Sequence, residues 1–189
     1  MILRSVPALA IVAALAGCGG KSNEVNGSYR GQSIDVSDGA LLPPIKDTSG
    51  SSISVIVLES EADTCALLQG RAVNNSRAVS VVLGIQTADG TLALPNVAGT
   101  YDVVGPLFRK AGSKVAAINF AVFGSCGPGT TGNATSGTVH LTHVATQADG
   151  TPSEIDGTFD ATFDSGDVLT GAFRVAACAG ARFVVGVCR

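Results

Sequence analysis

Tryptophan is absent from this 189-residue chain, and methionine occurs only at position 1. Aromatic residues make up 5% of the sequence, and seven phenylalanines outnumber two tyrosines. The large apolar anchors of any core must therefore be mostly phenylalanine. Charged residues are also scarce, at 14%, too few for a solvated, disordered chain. Fifteen carboxylates against twelve cations leave a formal net charge of −3. That balance offers phosphate no attraction and argues against nucleic acid as a partner. None of the five cysteines falls in a CxxC pair, the spacing that zinc ribbons need. No apolar run reaches the roughly 20 residues of a membrane-spanning helix.

Glycine is abundant by contrast, with 24 residues, which points to many tight turns. The length suits one domain. Arg4 is the only charge in the first twenty residues, and Val6 to Ala16 follows as eleven apolar residues. A basic start before a run of that length has the form of an export signal. The run ends in Leu15-Ala16-Gly17-Cys18, which resembles the lipobox of bacterial lipoproteins. That resemblance implies a signal peptide over 1–17, cleavage before Cys18 and a diacylglyceryl group on its sulfur. It also implies a bacterial envelope location, lipid-anchored, with the membrane as first partner. Gly19 stands where an Asp would imply retention at the inner membrane, so the sorting rule of that family implies the outer membrane. Residues 18–26 are expected to be the lipidated cysteine and a polar flexible tether, and 27–189 a single β domain.

Beyond residue 27, alternation of period two dominates, as expected of strands with one buried face. Val79, Val81, Leu83 and Ile85 share a face, as do Ala116, Ile118, Phe120 and Val122. Phe159, Ala161 and Phe163 alternate with Thr158, Asp160 and Thr162. The pattern predicts strands over 28–37, 52–59, 77–87, 91–94, 99–104, 114–124, 137–146, 154–164, 167–177 and 181–188, the last four as an antiparallel meander. The fold class is all-β, a sandwich or barrel, with a short helix competing at 61–72. Gly27-Ser-Tyr29, Gly99-Thr-Tyr101, Gly157-Thr-Phe159 and Gly171-Ala-Phe173 place a glycine and an aromatic on one strand face.

Cys65, Cys126, Cys178 and Cys188 form an even set in a chain read as exported, so two disulfides are expected. Four cysteines allow three pairings. Cys178–Cys188 is the preferred one, joining two successive strands, with Cys65–Cys126 left by elimination. No catalytic residue, cofactor or metal is assigned. His140 and His143, three apart, should point to opposite faces of a strand and so cannot chelate together without a bulge. Asp164-Ser165-Gly166-Asp167 lacks the Gly-x-Ser-x-Gly frame of a hydrolase nucleophile and reads as a hairpin turn, or as a weak calcium site. Gly124 to Gly132 has the glycines of a phosphate loop without its lysine. Asp156, Asp160 and Asp164 lie about 13 Å apart at ~3.3 Å per residue, too far for paired glycosidase acids. The last third, from Gly137-Thr-Val-His-Leu-Thr142 to Leu169-Thr-Gly-Ala-Phe173, is similar to uncharacterised exported lipoproteins of Gram-negative soil bacteria. The expected function is a binding or structural module whose protein or small-molecule ligand is unknown. A lipocalin-like carrier, for which Tyr29 stands near the family's early aromatic, or an envelope hydrolase are the alternatives.

Overall fold

The structure, a computed structural model, describes residues 23–70, 76–103, 110–124 and 127–181. The expected signal peptide, Cys18, Cys126, Cys188 and the strand expected at 181–188 (all but its first residue) lie outside the described residues. Among the described residues, eleven strands and one short helix follow in chain order: β1 (Glu24–Gly27), β2 (Asp38–Leu41), β3 (Ile45–Lys46), β4 (Ser52–Glu59), α1 (Thr64–Leu68), β5 (Arg77–Gln86), β6 (Leu92–Ala93), β7 (Gly99–Val103), β8 (Lys114–Gly124), β9 (Gly127–Thr146), β10 (Pro152–Phe163) and β11 (Val168–Ala176). The chain is all-β, as its alternation predicts.

One turn chemistry joins four of the hairpins. Asp47–Ser51, Thr87–Thr91, Gln147–Thr151 and Phe163–Asp167 each carry glycine at the fourth position, with φ between 81° and 90°. In each, that glycine's N–H donates to the first carbonyl, and the first N–H donates to the fifth. This is a type I turn closed by a left-handed residue, which glycine adopts without the Cβ penalty. In the first three, an Asp binds the Ser or Thr beside it. Ser49 and Ser51 bond to Asp47, Thr87 and Thr91 to Asp89, and Thr151 N–H to Asp149 at 2.9 Å.

The strands form one sheet in the order β1-β11-β10-β9-β7-β8-β5-β4-β2, with β3 on β4 and β6 on β5. All pairs are antiparallel except β7 and β8. The ladder is open. Its β2 end comes back to β11 through one isolated parallel bridge, Leu41 to Ala177, and through Cys178 N–H donating to Leu41 O at 2.8 Å. A core fills the space inside the curl. Tyr29, Tyr101, Phe120, Phe163, Ile56, Leu58, Leu83, Ile118, Leu141, Ile155 and Leu169 are all fully buried there. Phe159 and Phe173 lie across the β10–β11 ladder from glycines, Phe159 opposite Gly171 and Phe173 opposite Gly157, and each ring covers its glycine. Phe159, Phe163 and Phe173 thus share one buried face. A second, smaller apolar cluster covers the outside of β2 and β4, where Ala40, Leu42, Val55 and Val57 pack with Leu68 of α1 and with Cys178 and Ala181.

Several expectations change. Glu24 to Asn26, placed in the flexible tether, form strand β1 with Gly27 on the edge of β11. Residues 28–37 hold no ladder strand. Tyr29 and Gln32 close a tight bridge with two hydrogen bonds of 2.9 Å, and Ile34 and Val36 follow it into the core. β9 begins ten residues earlier than expected, because the glycine-rich segment pairs with β8, Gly132 opposite Phe120. The preferred disulfide is corrected too: Cys178 is bonded to Cys65, 113 residues away, not to Cys188. The curl carries the end of β11 past β2, where α1 presents Cys65.

Candidate functional site

The outer face of β7, β9, β10, β11 and β1 carries mostly polar side chains. Register sets out its rows. Thr100, His140, Thr158, Ala172 and Glu24 lie side by side, and Asp102, Thr138, Asp160, Thr170 and Asn26 form the next row. A third row holds His143, Asp156 and Arg174. Both histidines are exposed on this face, against the expectation of opposite faces. The reason is a bulge: the register slips between Asp156/His143 and Gly157/Leu141, so Thr142 is left unopposed and the alternation advances by one. Even so, the two histidines have different neighbours. His140 Nδ1 lies 3.2 Å from Thr100 Oγ1, whereas His143 stands opposite Asp156.

Three carboxylates of this face have partners on it. Thr138 Oγ1 donates to Asp160 at 2.6 Å. Arg174 Nε bonds to Glu154 at 3.1 Å and stands 3.6 Å from Asp156, and its hydrogen bond to Glu154 holds the guanidinium above its ordinary pKa. Short side chains of Thr, Asp, Asn and His on a flat sheet present donors and acceptors to a polar ligand. Among the described residues no group of three or more His, Cys, Asp or Glu is arranged to hold a metal ion.

Asp164 and Asp167 act within the fold. Tyr29, wholly buried between Phe120 and Phe163 at ring-centroid distances of 5.5 and 5.2 Å, donates its hydroxyl to Asp164 Oδ1 at 3.1 Å. Burial and then that carboxylate hold the Tyr29 phenol above its ordinary pKa. Asp167 accepts from Arg30 N–H at 2.8 Å and from Ser165 Oγ at 2.7 Å, contacts that lower its pKa, the backbone bond most. Ser165, the one serine of the hydrolase-like motif, is thus spent on its own turn. Gly132, from the phosphate-loop-like segment, lies against the Tyr29 ring, where a Cβ would overlap it.

Sequence reasoning passed over Glu59. Its side chain is 7% exposed and lies at the end of β4, opposite Asp38 of β2 and Ala78 of β5. Its Oε2 has no hydrogen-bond partner, and the same is true of the neighbouring turn's Thr64 Oγ1, whose N–H donates to Asp38 at 2.9 Å. Burial pushes the Glu59 carboxyl up to about 7, against the lowering effect of a Ser76 hydrogen bond and with a further push from Glu61. The available signal was parity: Glu59 shares a face with Val55 and Val57. It becomes legible only once α1 is known to cover that outer face.

No family model, curated protein or solved structure matches the chain.

Proposed function

We propose that the chain is a lipid-anchored lipoprotein of the bacterial cell envelope, more specifically of its outer membrane, whose β domain serves as a binding or structural module. The attachment rests on the apolar run ending in Leu15-Ala16-Gly17-Cys18, since lipid chains on Cys18 would hold the domain at a bilayer at ~0.8 kcal/mol per buried methylene. The choice of module over carrier rests on one observation: the interior of the curled sheet is occupied by its own side chains. Tyr29, Tyr101, Phe120 and Phe163 sit where a carrier keeps its ligand. Recognition then falls to the outside, and the polar face of β7, β9, β10, β11 and β1 is the surface we assign to it. No catalytic step is part of the proposal.

Intact mass spectrometry of protein extracted from the host membrane tests the anchor. The expected mass lacks residues 1–17 and includes acyl groups at Cys18; an unmodified Cys18, or Cys18→Ala leaving attachment unchanged, overturns it. Titration with a fluorescent fatty acid tests the module. Saturable one-to-one uptake into the native domain would restore the carrier reading.

A further inference from the structure

Beyond Glu59 the chain leaves β4, turns and enters α1, which packs on β2 and β4. The turn is fixed at both ends. Ser60 N–H donates to Arg77 O at 2.9 Å, and Arg77 N–H donates to Ser60 Oγ at 3.0 Å. Cys65 is held by its bond to Cys178. Between these points Glu61, Ala62 and Asp63 are exposed, and Thr64 alone turns inward. Thr64 is fully buried beside β2, where its N–H meets Asp38, the residue opposite Glu59.

This arrangement carries two costs. Glu59 Oε2 and Thr64 Oγ1 are both buried without a partner, whereas water would satisfy each of them. Asp63 is held in the left-handed region, at φ 65° and ψ 51°, where a residue with a Cβ is strained. In return its carbonyl accepts from Leu67 N–H and its carboxylate from Ala66 N–H, closing the first turn of α1. An outward movement of residues 61–64 would relieve both costs. The strands beside Glu59 yield less readily, since β4 is bonded to β2 and to β5 along its ladders.

The charged groups around Glu59 are Asp35 and Asp38 on the β2 side, Glu61 and Asp63 in the turn, and Arg77 on β5. Four of the five are acids, and Glu61 adds its repulsion to the effect of burial. The Arg77 guanidinium is engaged elsewhere, donating to Ser33 O at 2.6 Å.

We infer that residues 61–64 form a pH-sensitive cover, closed over the protonated Glu59 carboxyl and lifted when that carboxyl ionises. A carboxylate buried there has a hydrogen bond from Ser76 on one side and needs water on the other. The lift ends at Cys65, because the bond to Cys178 keeps the rest of α1 on the domain. It is therefore a local opening of the fold rather than its loss.

Hydrogen exchange of the full chain, with the Cys65–Cys178 bond intact, tests the cover. The amides of Thr64, Ala66 and Leu67 report it, since their acceptors are Asp38 and Asp63. After correction for the intrinsic pH dependence of exchange, their opening should increase about tenfold from pH 6 to pH 8. That is the change given by a carboxyl at about 7 when closed and at 4.5 when open. Low urea should leave these amides unaffected while it accelerates those of β5 and β10. Glu59→Gln should remove the increase, and Ser76→Ala, which takes away the bond favouring the charged form, should extend it to higher pH. A constant opening from pH 6 to pH 8 overturns the inference. So does an increase with the urea dependence of the strands, which would be global unfolding, or one that persists in Glu59→Gln.

Discussion

Glu59→Gln should abolish a pH dependence of stability that the wild-type protein carries between about pH 4.5 and pH 7. The native carboxyl, at about 7, keeps its proton through an interval in which the ordinary group, at 4.5, has lost it. The unfolded chain therefore binds fewer protons than the folded one across that window, and stability falls as pH rises. Glu59's contribution is fully present below pH 4.5 and gone above 7. At 1.36 kcal/mol per pH unit, the shift is worth about 3 kcal/mol, an upper value because water can enter beside the unpartnered Oε2. Urea unfolding from pH 5 to pH 8, repeated on Glu59→Gln, reads the effect directly. Glutamine keeps the shape and carries no charge, so the variant should be flat across the window and more stable than wild type at pH 8. Asp47, Asp89, Asp149 and Asp167 do not confuse the result. Their hydrogen bonds lower their pKa values, Asp89 to about 2, so their contribution is lost only as pH falls below the ordinary carboxylate range. If the slope persists in Glu59→Gln, burial at the end of β4 is not its cause.

Removing the cross-link with Cys65→Ser and Cys178→Ser together should cost about 5 kcal/mol, the chain-entropy value for a loop closed over more than 100 residues; the spacing here is 113. Denaturant midpoints of the oxidised wild type and the double variant measure it, and a loss below about 1 kcal/mol would show the α1 contact to be idle. Phe173→Ala, emptying a site 2% exposed over Gly157, should cost about 3–5 kcal/mol. Thr170→Ala on the outer face of the same strand should cost little, and equal effects would mean that the assigned faces of β11 are reversed.

The strands that alternate were legible from sequence alone. β4, β5, β7, β8, β10 and β11 lie within one or two residues of their expected bounds, because each buries one face on the inner core and side-chain parity records it. What was missed depends on contacts that parity cannot record. β1 has only Val25 on its inner face, too little pattern to separate four residues from a tether. The first half of β9 is rich in Gly and Thr, and becomes a strand because Gly132 makes room for Tyr29. The histidine faces were reversed by a bulge that nothing local announces. The disulfide was misassigned because closeness in sequence stood in for closeness in space, and the curl of the sheet separates the two.

β1, near the start of the chain, pairs with β11, near its end. A chain delivered from its N-terminus must therefore wait for nearly all of its remaining length before its first strand has a neighbour. Until then the edge of β10 also stays unpaired, and Phe159 lacks the glycine it covers. Completion of the fold is thus tied to release of the C-terminal segment. Contacts of such long separation make folding slow. On the proposed lipoprotein reading, in which the chain is exported as an extended thread, that delay would keep the sheet from closing prematurely on a chain still in transit.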